Sequence, residues 1–578
     1  MLGFILGGIL LFFICVAIIV GMLSGIGSKS AVSVKDNTIL HLTFGMNIPD
    51  RTGNNPFKNL NTDGESSNPL GLNDILENIK KAGKDSHIKG ILLEAETFGS
   101  GWAKAEEIRR ALLDFRKQGK WVIAYAENYT KGAYYIATAA DKIYLNPSGD
   151  LLLNGMYSEV HFVKNMLEKL GVEMQVIRHG KFKGAVEMFM LDKLSNENRE
   201  QISVYVNSIW QHFVTGVAAG RKLEKTDIER IANDMIVRKA EDALEFKLVD
   251  GLWYKDQVLD DLRKRTGKGE KDKLNLMSIA KYSSTPGKAW PSGEDKIAIV
   301  YATGDIGPGN GGDDNIGSEG LSETLRKARL DDKIKAVVLR VNSPGGSALA
   351  SEIIWREVEL LRKAKKPVVV SMGDVAASGG YYIACGADSI LAEPNTITGS
   401  IGVFGLIPNT QKLMHDKLGI TSDGVKVGKY SDLGKLDRPL TADEKVIYQK
   451  YVDEIYDQFL TRVADGRRLN KAQVDSIAQG RVWTGADALH IGLVDRLGNL
   501  EDAVKVAACL AKLNKYGIKE LPKQKDPFEN LLKSLNGEAD NYFARQQLGE
   551  YYKIYETIKS VGNMRGIQAR MWYDVEVR

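Results

Sequence analysis

The chain repeats itself once. The stretch DSHIKGILLEAETFGSGWAKAEEIRRALLDFRKQGKWVIAYAE, which begins at Asp85, returns as DDKIKAVVLRVNSPGGSALASEIIWREVELLRKAKKPVVVSMGD from Asp331. Downstream, AAGRKLEKTDIERIA from Ala218 returns as ADGRRLNKAQVDSIA from Ala464, and AEDALEFKLVDGL from Ala240 as GADALHIGLVDRL from Gly485. The offset stays near about 250 residues, far too long for a solenoid repeat and long enough for a domain with its own core. Two related domains are therefore expected at residues 29–281 and 297–525, joined by the Ser/Pro/Gly/Lys-rich linker 282–296. Residues 526–578, with aromatics at Tyr542, Phe543, Tyr551, Tyr552, Tyr555, Trp572 and Tyr573, read as a helical extension that packs or joins copies.

Each unit has an α/β pattern. AVVLRV and PVVVSM are continuous β-branched runs, as expected of parallel strands buried on both faces. SEIIWREVELLRKAKK between them has apolar residues at helical spacing and ends in cations that suit a helix C-terminus. SILAEP and KIYLNP read as one further short strand per copy, each stopped by proline. LTADEKVIYQKYVDEIYDQFLTRVADG reads as a long helix with a threonine cap that ends at Gly466. Alternation of strand and helix predicts parallel sheets with right-handed crossovers.

Composition narrows the function class. A net charge of +4 over 578 residues carries no basic stripe of the kind a dedicated nucleic-acid binder shows. The three cysteines, Cys15, Cys385 and Cys509, lie too far apart for a metal-binding spacing or a disulfide framework. Residues 1–28 contain no charge, and LGFILGGILLFFICVAIIVGML is long enough to cross a bilayer, so this run is expected to be an uncleaved anchor rather than a cleaved signal. No Lys or Arg precedes it while Lys29 and Lys35 follow, so charge bias does not favour an N-terminus-in orientation.

The copies differ where chemistry is expected. MGDVAASGGYYIA, Met372–Ala384, faces AENYTKGAYYIA, Ala126–Ala137, so Ser378 stands opposite Lys131. RHGKFKGAVE faces KVGKYSDLGK, so Lys183 stands opposite Ser431. One copy keeps a serine and the other a lysine, and two packed domains would build one Ser–Lys site between them. A lysine acts as a base only when neutral, which burial between domains favours over its ordinary pKa near 10.4. Lys181 is the rival base, but it matches Lys429 and so reads as a shared structural residue, whereas Lys183 is peculiar to the first half. Ser378 also has a plainer reading as a helix N-cap. Tyr381 and Tyr382 recur as Tyr134 and Tyr135, which points to core packing rather than to a substrate wall.

NSPGGSALASE, Asn342–Glu352, is a strand end, a Pro-Gly-Gly turn and a helix start. Consecutive glycines and a helix N-terminus aim N–H groups at one spot, which suits an oxyanion formed in acyl transfer. The plainer reading is a tight strand-to-helix turn. The first copy has TFGSG there.

With VNSPGGS, GDVAASGGYYIA, TGSIGVFG (Thr398–Gly405), the FKGAVE lysine segment and the apolar N-terminus, the chain resembles signal peptide peptidase A of the long, two-repeat bacterial type (protease IV) over nearly its whole length. SPGG alone would fit the wider Clp and crotonase superfamily. The resemblance implies two tandem Clp/crotonase-like α/β domains behind a transmembrane helix. It implies a Ser/Lys-dyad serine peptidase with Ser378 as nucleophile, Lys183 as general base, and the Gly346 and Gly379 amides as oxyanion donors. It also implies no cofactor, a homotetramer, and a single-pass protein of the bacterial inner membrane that degrades remnant signal peptides on the outer side. Two other classes stay open on sequence: a crotonase-type acyl-CoA enzyme, which would share the oxyanion turn but work through carboxylates, and an inactive membrane scaffold.

Overall fold

The computed structural model describes residues 32–44, 47–53, 70–287, 290, 292–312, 314–524 and 566–571. The apolar run 1–28 lies outside them, and among the described residues no helix is long and apolar enough to cross a membrane.

The first-half strands are β1 (Thr38–Leu42), β2 (Ile88–Glu94), β3 (Trp121–Ala126), β4 (Lys142–Leu145), β5 (Glu173–Arg178), β6 (Gly251–Leu252) and β7 (Leu276–Ser278). All but β5 form one parallel sheet in the order β6-β4-β3-β2-β1-β7. The second half contributes β8 (Lys296–Thr303), β9 (Asp305–Gly307), β10 (Asn315–Gly317), β11 (Ile334–Ser343), β12 (Gly345–Ser347), β13 (Val368–Ala377), β14 (Ser389–Ala392), β15 (Ile397–Gly399), β16 (Phe404–Asn409), β17 (Val482–Thr484), β18 (Arg496–Leu497) and β19 (Gly517–Leu521). Its parallel core runs β18-β14-β13-β11-β8-β19, strand for strand the order of the first sheet. The apolar runs behave as their composition demands: Val337, Val338, Leu339, Val368, Val369 and Val370 are fully buried.

Polar contacts repeat with the strands. The Tyr134 hydroxyl donates to the Leu248 carbonyl at 2.7 Å, and the Tyr381 hydroxyl to the Leu493 carbonyl at 2.8 Å. Lys120 Nζ donates to the carbonyls of Ala82 and Asp85, and Lys366 Nζ to those of Ala328 and Asp331. All four repeated tyrosines are buried, so they are core. The long helix Ala442–Arg467 starts at Thr441, whose hydroxyl accepts from the Glu444 amide in a capping box.

A third sheet joins the halves. Its order is β10-β9-β12-β20-β16-β5, where β20 is Gln568–Arg570. This strand falls inside the stretch expected to be helical; most of that stretch lies outside the described residues. β5 of the first half pairs antiparallel with β16 of the second, from Arg178 opposite Phe404 to Glu173 opposite Asn409. The Lys183 segment begins just past Arg178 and so enters the second half directly.

A buried charge cluster makes a second junction. Arg340 at the core end of β11 donates to Asp50 at 3.1 Å, to Glu107 at 2.6 Å, and to the Ser371 hydroxyl at 2.9 Å. Asn342 Nδ2 also donates to Asp50, and Lys104 lies 3.5 Å from Asp50 and 3.4 Å from Asp374. Burial alone would raise the Asp50 carboxyl, but Lys104 and Arg340 hold it at about 2. The cluster sits under the end of β11 that leads into the Pro-Gly-Gly turn.

Candidate active site

Ser378 lies where β13 turns into the short helix Gly379–Ala384. It takes the N-cap position, yet its side chain caps nothing, and its backbone sits at φ 56° and ψ −115°. That conformation costs about 1–3 kcal/mol for a residue with a side chain and turns the hydroxyl out of the strand direction. The surroundings fix it: the Ser378 amide donates to the Gly399 carbonyl at 2.8 Å, and the Tyr382 amide donates to the Ser378 carbonyl at 2.8 Å. The flanking Ala376, Ala377, Gly379 and Gly380 are buried, which lets other backbone approach closely.

Lys183 reaches the same point from the first half. The loop after β5 is pinned on the second half where the Phe182 amide donates to the Gln479 carbonyl at 2.9 Å. Gln201 clamps it from behind, donating to the Phe182 carbonyl at 2.9 Å and accepting from the Val482 amide at 3.0 Å. Gly480 is required here: its φ is +81°, and a Cβ on it would lie 2.7 Å from Lys183 Cβ. Lys183 Nζ ends 2.8 Å from Ser378 Oγ, 3.0 Å from the Ser400 carbonyl and 3.1 Å from Ser400 Oγ. Lys183 is 1 % exposed and Ser378 0 %, so the pair is closed off from bulk water within the chain. Burial holds the Lys183 amine well below the usual lysine range.

The other candidates separate by position. Lys181 is exposed, Ser431 is exposed on the segment after Leu418, and Lys131 donates to Asn154 Oδ1 at 2.7 Å in the first half. The repeat asymmetry that singled out Ser378 and Lys183 therefore corresponds to one meeting point. Ser400 was missed. The pairing of Ala376 with Thr398 has its counterpart in the bridge between Tyr129 and Leu151, which sets Ser400 opposite Leu153. The same comparison of copies, applied to TGSIGVFG, would have found a second serine peculiar to the second half.

The Pro-Gly-Gly turn lies beside Ser378. Gly345 has φ +99°, and its own amide is taken by Ser343 Oγ at 3.1 Å. A Cβ on Gly345 would lie 2.6 Å from the Gly379 amide nitrogen and 2.2 Å from the Ala569 carbonyl oxygen. The turn, the start of the Gly379 helix and a carbonyl of β20 thus converge within one small volume.

Two stretches, residues 114–268 and 360–514, match the model of peptidase family S49. The chain belongs to this family. The first stretch carries Lys183, and the second carries Ser378 and Ser400. "Protease 4" of Salmonella typhi is 37% identical over 540 residues, which cover 91% of this chain and 87% of that one. "Serine protease SPPA, chloroplastic" of Arabidopsis thaliana is 34% identical over 514 residues, 87% of this chain and 74% of that one. A solved ClpP1 N165D mutant from Listeria monocytogenes covers 36% of this chain at 16% identity with a TM-score of 0.25, too low to carry an argument. The family makes the protein a serine peptidase with two tandem S49 domains on a mixed α/β fold. That sets aside the acyl-CoA enzyme and the inactive scaffold.

Proposed function

We propose that the protein is an endopeptidase working through a Ser378–Lys183 dyad on apolar peptides, remnant signal peptides among them. The observation that carries this reading is the 2.8 Å approach of a buried lysine amine to a buried serine hydroxyl on a strained strand-to-helix turn. A neutral amine has one lone pair and two N–H groups. The lone pair accepts from the Ser378 hydroxyl, while the N–H groups donate to the Ser400 carbonyl and Oγ, whose distances fit. Lys183 takes the Ser378 proton as Oγ attacks the scissile carbonyl. The Gly346 and Gly379 amides receive the oxyanion. Lys183 then passes the proton to the leaving amine, and water releases the acyl group.

Membrane attachment through residues 1–28 on the outer side of a bacterial inner membrane belongs to the same proposal. The uncharged apolar run and the family relationship support it. We extend it to a homotetramer. The segment 421–427 is the repeat counterpart of β5, yet among the described residues it pairs with no strand, and Val425 is 97% and Val427 99% exposed. The counterpart of β16 in the first half, residues 157–162, carries Tyr157 at 62% exposure. Copies that join as β5 joins β16 would cover both. Incubation with a serine-directed inhibitor tests the enzymatic core: labelling at Ser378 that abolishes peptide hydrolysis is expected, and hydrolysis by Ser378→Ala at the unaltered rate would refute it.

A further inference from the structure

The strand that leads to Ser378 contains a break, and the other half of the chain holds it. β11 and β13 pair in register from Val337 opposite Val368 to Val341 opposite Met372, then resume at Ser343 opposite Ala376. A single residue of β11, Asn342, therefore spans Gly373, Asp374 and Val375 of β13. Across this excess β13 changes neighbours. Before it, Ser371 pairs with Leu391 of β14; at its end, Val375, Ala376 and Ala377 pair with Ile397, Thr398 and Gly399 of β15. Ser378 and Ser400 follow directly on those two segments. The extra residues thus re-aim the strand and carry the serine to the place where Lys183 arrives.

Each extra residue has a partner in place of the broken ladder. The Gly373 carbonyl accepts from Thr396 Oγ1 at 2.8 Å. Asp374 Oδ1 accepts from the Lys104 amide at 3.1 Å, in the first turn of the first-half helix Trp102–Lys117. The Val375 amide donates to Asn342 Oδ1 at 3.1 Å, and a Cβ on Gly373 would meet Asn342 Cγ at 2.9 Å. Asn342 Nδ2 in turn donates to Asp50 of the first half. Two of the three extra residues are therefore tied to the first half, Asp374 directly and Val375 through Asn342.

Polarity dictates the middle link. The Val375 amide only donates, and Asp50, kept ionised by Lys104 and Arg340, only accepts. A side-chain amide offers one acceptor and one donor, so Oδ1 turns to Val375 and Nδ2 to Asp50. Leucine at this position would satisfy neither, and aspartate would set a second carboxylate against Asp50.

We propose that Asn342 and Asp50 are positioning residues for the reaction: through them the first half sets the path of β13 and so the aim of Ser378 at Lys183. The proposal rests on the dyad reading above. Both residues act through the Val375 amide, on the strand that ends at the nucleophile, and not on the substrate.

The test measures kcat and KM of the full chain for an apolar peptide ester, with thermal unfolding of every variant and inhibitor labelling of Ser378 in the parent protein. Asn342→Asp and Asn342→Leu should lower kcat per folded molecule about 10–100-fold with KM within about twofold, because a displacement of about 1 Å at reacting atoms costs up to about 10²-fold. Asp50→Asn keeps the shape and removes only the carboxylate; it should show the same split and stands in where Asn342→Leu does not fold. Exchanging the two side chains, D50N with N342D, restores a donor opposite an acceptor at each contact. It should bring kcat back to within about threefold of the parent, the signature of two coupled residues. An exchange no better than Asn342→Asp alone, or parental kcat in Asn342→Leu, overturns the positioning role. A raised KM with kcat unchanged overturns it too, since Asn342 would then serve the peptide groove. In each of these cases a labelled Ser378 leaves the dyad standing. A parent protein whose Ser378 cannot be labelled overturns the dyad itself, and this proposal with it.

Discussion

Lys183 Nζ lies 2.8 Å from Ser378 Oγ, although 195 positions separate the two residues. Each comes from a different copy of the repeat, and neither copy holds both. The contact exists because β5 crosses into the sheet of the second half and because Gly480 leaves room for the lysine backbone. The contact is therefore a property of the junction, and, on the dyad mechanism proposed above, whatever loosens the junction lowers turnover.

Replacing either member should remove activity. Ser378→Ala and Lys183→Ala are expected to lower kcat for an apolar peptide ester by at least about 10²–10⁴-fold, the usual contribution of a positioned acid–base group. Lys181→Ala should retain near-normal turnover because that side chain is exposed. Steady-state kinetics on the folded variants check this, and loss in Lys181→Ala with turnover kept in Lys183→Ala would move the base.

Ser400 holds the lysine by two contacts, and only the side-chain one is removable. Ser400→Ala should cost about one hydrogen bond, about 1–1.5 kcal/mol, or roughly tenfold in kcat, with KM little changed. The apparent ionisation of the pH–rate profile should move with it, which a purely structural residue would not cause.

A buried amine also taxes the fold. The pKa of Lys183 is lowered in the folded state. The folded protein thus binds fewer protons than the unfolded chain at pH values below the ordinary lysine range, and stability rises as pH climbs toward that range. Lys183→Met removes this dependence. The Tm difference between Lys183→Met and the parent protein should shift steadily in favour of the parent between pH 7 and pH 10; a difference that does not vary with pH contradicts a perturbed amine.

Arg340 neutralises Asp50 and Glu107 where no water can replace it. Arg340→Met should destabilise by about 3–5 kcal/mol, since breaking a buried pair leaves charges unpaired. Asp50 is held at about 2, below its unfolded value near 3.9, so its contribution is present above that value and fades as pH falls through 3.9 toward 2. Urea titrations at pH 7 and pH 3 should show the penalty of Arg340→Met shrinking at the lower pH.

The sheet cores and the meeting of Ser378 with Lys183 were readable from the sequence because each rests on local pattern or on comparison of the copies. Continuous runs this short and this rich in β-branched residues favour doubly buried strands, and a serine facing a lysine at two matched positions can be noticed without coordinates. The junction was less legible. The pairing of β5 with β16 joins segments more than two hundred positions apart and leaves no periodic signature. Arg340 sits inside AVVLRV, where it looks like an interruption; its buried counter-charges come from Asp50 and Glu107 in the other half. Ser400 escaped because its turn was read as a family mark and not compared with Leu153. Gln568–Arg570 lies in a stretch whose aromatic residues suggested a helix, and a strand this short forms only because two open edges await it.

The most direct measurement is the rate at which a serine-directed inhibitor acylates Ser378 as a function of pH, in the parent protein, Lys183→Ala and Lys181→Ala. The account predicts a rate that rises through a single ionisation well below the ordinary lysine range in the parent and in Lys181→Ala, and that collapses in Lys183→Ala. Acylation of Lys183→Ala at the parental rate, or a parental rate still climbing through the ordinary lysine range, would contradict it.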